Sequence, residues 1–124
     1  MKITKIIARI VLGLILVLFG LNGFLQFMPM PEMTAEAGEL MGAMAKAGYF
    51  FPIIAIVEII VGILLLINKY TALALIVLFP IMLNAFLFHL FLDIAGIGGA
   101  ALAVTLNTFL LIADKEKYKG VLEI

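Results

Sequence analysis

The sequence predicts an all-α membrane protein, a four-transmembrane-helix bundle with both termini inside (N-in/C-in) and a short amphipathic surface helix in the first external loop. Three observations predict it. Four apolar runs, residues 10–28, 49–67, 70–92 and 94–113, are each long enough to cross a bilayer, which takes about 17–25 residues. The chain is 66% hydrophobic and only 13% charged, whereas soluble domains carry about 45–50% apolar and about 25% charged residues. Finally, if four helices alternate, Lys2, Lys5, Arg9, Lys69, Lys115, Lys117 and Lys119 fall on one side and Lys46 alone on the other. Cytoplasmic loops hold the excess of Lys and Arg, so that side is assigned to the cytoplasm.

The first run follows Lys2, Lys5 and Arg9, as a signal peptide would. It is longer than the roughly 7–15 apolar residues of a signal core, and it ends in Gln26-Phe-Met-Pro-Met-Pro without a small-x-small cleavage site. A retained first helix is therefore expected. Along it Arg9, Gly13, Leu16, Gly20 and Gly23 recur at steps of four and three. Small residues at that spacing let membrane helices approach closely, because lipid gives apolar helices no drive to associate. The second run carries a similar stripe of Phe51, Ala55, Glu58, Gly62 and Leu65, and the fourth has Gly96, Ala100, Ala103, Asn107 and Leu111. In the third run Pro80 lacks an N–H and frees the carbonyl of Ile76, so a kink is expected.

Residues 29–48 form the external loop and carry Glu32, Glu36 and Glu39. Within it residues 34–47 read as a helix lying on the membrane surface, with Thr34 as N-cap and Ala37, Leu40, Met41 and Met44 on one face. Met28, Met30, Met33, Met41 and Met44 cluster here. Thioethers bind Cu(I), but beside a membrane methionine serves as a flexible apolar filler. No metal site is expected, and a lone histidine does not alter that, since such sites need several ligands.

Glu58 is the one formally charged residue inside any of the four runs. A carboxylate at the bilayer centre costs about 2.5–3.5 kcal/mol on insertion scales. Desolvation favours the neutral acid, so Glu58 is expected protonated and turned into the bundle, with Asn84 or Asn22 as partner rather than the distant Arg9. Glu58 and Asn84 each lie nine residues from the external boundary, about 13 Å deep at 1.5 Å per residue. Asn22, Gln26 and His89 lie nearer that boundary. These five residues, Glu58, Asn84, His89, Asn22 and Gln26, are the candidate ligand-binding group, gathered between the first three spans. Thr105, Asn107 and Thr108 complete the polar set. Each amide also has an ordinary use as a hydrogen bond between helices.

The order Arg9-x-x-x-Gly13, Gly20, Glu58-x-x-x-Gly62, Asn84 and then His89 in Phe88-His-Leu-Phe-Leu resembles the DoxX family of small four-helix membrane proteins. The resemblance covers about residues 6–113 and implies a single DoxX-like transmembrane domain over residues 1–124, with Arg9, Gly13, Gly20 and Gly62 as its structural motif. The family takes its name from a subunit of a thiosulfate:quinone oxidoreductase, so it implies an inner (cytoplasmic) membrane location and an accessory or anchoring role beside a redox partner subunit. Related four-helix oxidoreductases use a cysteine pair. This chain has no cysteine, so that chemistry does not transfer.

Three function classes stay open. One is a membrane redox accessory subunit with a quinone-like or lipid ligand around Glu58. The second is a non-enzymatic structural or assembly partner, including a homo-oligomer, and the third is a small proton-coupled carrier. No intrinsic cofactor or catalytic motif is visible, whether haem, flavin or iron–sulfur, so whether the chain is an enzyme stays undecided. The partners implied are the lipid bilayer and a redox subunit. A net charge of zero suggests no nucleic-acid partner. The charge asymmetry makes one prediction. Topology reporters fused after Ile124 and inserted within residues 36–42 should read cytoplasmic and external respectively; an external C-terminus would overturn the alternation of four spans.

Overall fold

The computed structural model describes residues 2–27 and 32–123. Among them every regular element is helical: α1 (Lys2–Leu25), α2 (Ala35–Ala47), α3 (Phe50–Ile67), α4 (Thr71–Leu92), α5 (Ile97–Ala113) and α6 (Lys119–Leu122), with 3₁₀ turns at Ile94–Gly96 and Lys115–Tyr118. Helices α1, α3 and α4, and α5 with its preceding turn, are long and apolar enough to cross a membrane. The bundle runs around a ring in which α1 packs on α3, α3 on α4, α4 on α5 and α5 back on α1.

The first span begins at Lys2 rather than residue 10. Lys2, Lys5 and Arg9 are good helix formers, and their stems can lie along apolar surface while the charges reach outward. The expected end of that span at Met28, like Met30 and the two prolines beside it, lies outside the described residues. Thr34 caps α2, its side chain accepting from the Ala37 N–H at 3.2 Å. The same hydroxyl donates to the Leu92 carbonyl at the end of α4. Gly48 ends α2 at φ 86°, a left-handed conformation that glycine adopts without a Cβ penalty. Asn68 ends α3 at φ 58°, and α4 continues as one helix through Pro80.

The tightest seam joins α1 to α3. A Cβ on Gly13 would lie 3.0 Å from the Gly62 carbonyl oxygen, and one on Gly62 would lie 2.9 Å from that of Gly13. A Cβ on Gly20 would meet the Ala55 carbonyl oxygen at 2.9 Å. Backbone thus touches backbone at two levels. At one end of the seam Arg9 donates to the carbonyls of Leu65 and Leu66. Both carbonyls lie in the last turn of α3, where a cation also suits the helix dipole, and Leu65 O is shared with the Asn68 N–H at 3.3 Å.

The core is not spread evenly. Ala8, Leu12 and Leu16 of α1, Val61 and Leu65 of α3, Ala74, Leu75, Leu78 and Met82 of α4, and Ala103 and Leu110 of α5 form one buried cluster. With alternating helices most of these positions lie toward the end of the bundle that carries both chain termini, with Leu16, Met82 and Ala103 near mid-height. Asn107, fully buried beside them, donates from Nδ2 to the Leu75 carbonyl at 3.2 Å. The same end is tied by Lys5 Nζ to Asp114 Oδ1 at 2.6 Å, which brings the start of α1 to the end of α5. Thr108 spends its hydroxyl on its own helix, at Val104 O.

Two predictions follow from this packing. Gly62→Leu should lower stability by about 1–3 kcal/mol through overpacking, because its neighbour is backbone. Gly98→Leu, whose Cβ would have nothing within 4 Å, should not; equal thermal unfolding in detergent for the two variants would contradict the seam. The second concerns acid. The hydrogen bond from Lys5, helped by the nearby Lys117, holds the Asp114 carboxyl below its usual range. Because the folded value lies below the unfolded value of about 3.9, this stabilisation is complete above the unfolded value and is lost as pH falls through the folded one. Asp114→Asn should cost no more than about 1 kcal/mol at neutral pH for so accessible a pair, and its deficit should vanish in strong acid when denaturant midpoints are compared.

Candidate functional site

In the other half of the bundle α1 and α3 stay in contact at Gly20, Gly23 and Ala55, while two clefts open there, each lined in part by α2. On α3, Phe51, Ile54, Ala55 and Glu58 fall at helical spacing on one face, and this face floors two clefts. The first cleft, about 690 Å³, runs between α1 and α3; Asn22 and Gln26 supply its α1 edge, and Gly38, Gly42 and Ala45 its α2 roof. Its width follows from those small residues, since a Cβ on Gly38 or Gly42 would have no neighbour within 4 Å. The second cleft, about 780 Å³, runs between α3 and α4 and is walled by Leu40 and Met44 from α2 and by Phe88 and Leu92 from α4. Both volumes fall within the range of small-molecule sites, about 300–1,000 Å³.

Glu58 lines both clefts, together with Met33, Met41, Phe51 and Ile54. It is half-buried, set back from the bundle's buried core cluster. Arg9 is engaged at the far end of α3, on the Leu65 and Leu66 carbonyls. The five candidate residues therefore divide. Asn22 and Gln26 share the first cleft with Glu58, whereas Asn84 and His89 share the second. A single pocket gathering all of them between three spans is replaced by two clefts that meet at one carboxyl. Asn22 is half-buried, and Asn84 is exposed along the second cleft.

Of the methionines in the loop, Met33, Met41 and Met44 line the clefts with their apolar side chains. Leu40, Met41 and Met44 face the second cleft, and Ala37 is fully buried beneath the helix. This is the apolar face of α2 that the sequence spacing marks.

Sequence reasoning missed Asp93. It falls between the third and fourth apolar runs, yet it is 3% exposed and lines the second cleft. Its Oδ2 lies 3.4 Å from His89 Nδ1, and its backbone oxygen lies 3.3 Å from the same nitrogen. Gly96 packs against the pair: a Cβ there would come within 3.0 Å of Asp93 Oδ2 and of His89 Cε1 and Nδ1. The signal available in sequence was the spacing itself, His and Asp four apart at a helix end. Thr34 was recognised only as a cap, and its second bond, to Leu92, depends on tertiary placement.

The arrangement offers a neutral or ionisable acid, three amides and an imidazole in mostly apolar surroundings. Such groups can hydrogen-bond a polar headgroup while its apolar remainder lies against Phe, Leu and Met side chains.

No curated protein and no solved structure matches the chain. One family model does, that described as DoxX, over residues 4–90. The matched segment spans the α1–α3 seam, Glu58, Asn84 and His89, and stops short of Asp93. Covering well over half of the sequence, the match joins the apolar helices in one conclusion: the chain is a multi-pass membrane protein and belongs to the DoxX family.

Proposed function

We propose that this protein is an accessory or anchoring subunit of a membrane redox system, in which the clefts meeting at Glu58 hold the oxygen-substituted ring of a quinone-like lipid. The observation that carries this reading is the junction itself: one carboxyl shared by two clefts of ligand size, flanked by Asn22 and Gln26 on one side and Asn84 on the other. Polar groups in an apolar setting are costly unless they are paired or used. Amides and a carboxylic acid donate hydrogen bonds to ring oxygens, and Phe51 and Phe88 offer flat apolar contact. Exposed Leu87 and Phe91 at the rim of the second cleft leave a path for a tail from the bilayer. When bound, a quinone would carry electrons and protons to and from a partner subunit.

In this reading both termini and the lysine-rich end face the cytoplasm, across an inner membrane, and α2 rests on the outer surface above the clefts. The seven-to-one distribution of cations supports that orientation, as does the meeting of Lys5 and Asp114 at one end.

The test is quinone binding to purified protein in nanodiscs, wild type against the pair Glu58→Leu, Asn84→Leu. The double variant should bind at least about tenfold more weakly, the loss expected when one or two hydrogen bonds disappear, while it stays monodisperse. Equal affinity would show that the clefts are not the site. Absence of binding in both would favour a non-enzymatic assembly role, and electrogenic proton flux in liposomes would favour a carrier.

A further inference from the structure

The His89–Asp93 pair constrains the chemistry of the second cleft more closely than its shape does. His89 Nδ1 has two neighbours, the Asp93 backbone oxygen at 3.3 Å and the Asp93 carboxylate Oδ2 at 3.4 Å. Neither a carbonyl nor a carboxylate oxygen can donate. Nδ1 must therefore hold the proton. The proton on one ring nitrogen fixes what the other can do, so in the neutral ring Nε2 is left as an acceptor. Gly96 closes the Nδ1 edge, its position allowing no Cβ without contact to Cε1, Nδ1 and Oδ2. The ring is 25% exposed and its carboxylate partner 4%, so the opposite edge is the one a ligand can reach. Glu58 is the other titratable side chain lining this cleft among the described residues.

We propose that Asp93 locks His89 in the tautomer with its proton on Nδ1, and that the bare Nε2 makes the second cleft selective for a ring ligand bearing a hydroxyl over the same ring without one. The selectivity rests on the ligand reading above, whereas the tautomer does not. Glu58 and Asn84 can each donate or accept, so they tolerate either form of a ring oxygen. His89 alone discriminates, because an acceptor facing an ether or carbonyl oxygen makes no bond and leaves two lone pairs opposed. A phenol or hydroquinone satisfies it. Asp93 acts here as a positioning residue, reaching the ligand only through the imidazole.

The chain contains one histidine, so protein made with ¹⁵N-histidine and without a polyhistidine tag gives a single imidazole signal. In nanodiscs at about pH 8, above the ordinary imidazole range, wild type should show the Nδ1–H tautomer. Asp93→Asn, which removes the charge but keeps the backbone oxygen 3.3 Å from Nδ1, should weaken that preference. Para-dodecylphenol should perturb Nε2 and bind about tenfold more tightly than its methyl ether, and His89→Phe should erase that ratio while leaving ether binding intact. An Nε2–H tautomer or a doubly protonated ring in wild type would overturn the proposal. So would an Nδ1–H tautomer with equal affinity for phenol and ether, an outcome that leaves ring binding itself standing. If neither probe nor any quinone binds, both the selectivity and the ligand reading fail, even with the tautomer as expected. Should either variant fold poorly, the wild-type spectrum and the wild-type affinity ratio decide the matter by themselves.

Discussion

Everything in this bundle depends on how closely α1 can approach α3. In lipid, apolar side chains gain little by leaving their surroundings, so association rests on van der Waals fit and on polar contacts. Gly13 and Gly62 supply that fit by presenting backbone to backbone, each within about van der Waals reach of the other's carbonyl. Gly20 extends the contact against Ala55, one turn of α3 before the level of Glu58. Arg9 then fastens the end of the seam to carbonyls in the last turn of α3. Shifting the seam would move the floor of both clefts, because Phe51, Ile54 and Glu58 ride on the same helix.

A second consequence follows from where the side chains are large. The buried cluster fills the half of the bundle near Leu12, Leu65, Leu78 and Leu110. Toward the other half, Gly20 and Gly23 keep α1 against Ala55 of α3, and the open space lies instead in the two clefts shared with α2. Helix α2 covers that half from above. It is held by the Thr34 hydroxyl on Leu92 at one end and by the Gly48 turn into α3 at the other. The clefts are thus a product of uneven filling: a rigid, well-packed end supports an open one.

Much of this was legible in the sequence. The four spans followed from run length, and the small-residue stripes of α1 and α3 from steps of four and three, because both signals are local and periodic; that these two stripes meet each other came from the structure. Thr34 as a cap is also local, set by a few neighbouring residues. The division of the polar residues was not legible. Depth along a helix can be counted from a boundary, but whether Asn22 and Asn84 meet depends on the rotation of α1 and α4 about α3, which no spacing within one helix encodes. Asp93 was hidden for a different reason. An acidic residue at the end of an apolar run reads as a solvated boundary marker, and only the 3₁₀ turn at Ile94–Gly96, folding back over it, buries it.

The two ends of the molecule treat charge in opposite ways. At the lysine-rich end charges are matched to partners outside the apolar interior: Lys5 to Asp114, Lys119 to Glu116 and Arg9 to helix carbonyls. At the other end the ionisable groups, Glu58, His89 and Asp93, line cavities instead. Of these only His89 and Asp93 lie against each other, with Nδ1 3.4 Å from Oδ2. Structural charges in membrane proteins are rare and face interior partners or water. Glu58 stands at the meeting point of two clefts, both lined in part by α2. The packing, which leaves two clefts of ligand size meeting at Glu58, thus supports the proposed ligand as much as the polar residues themselves do.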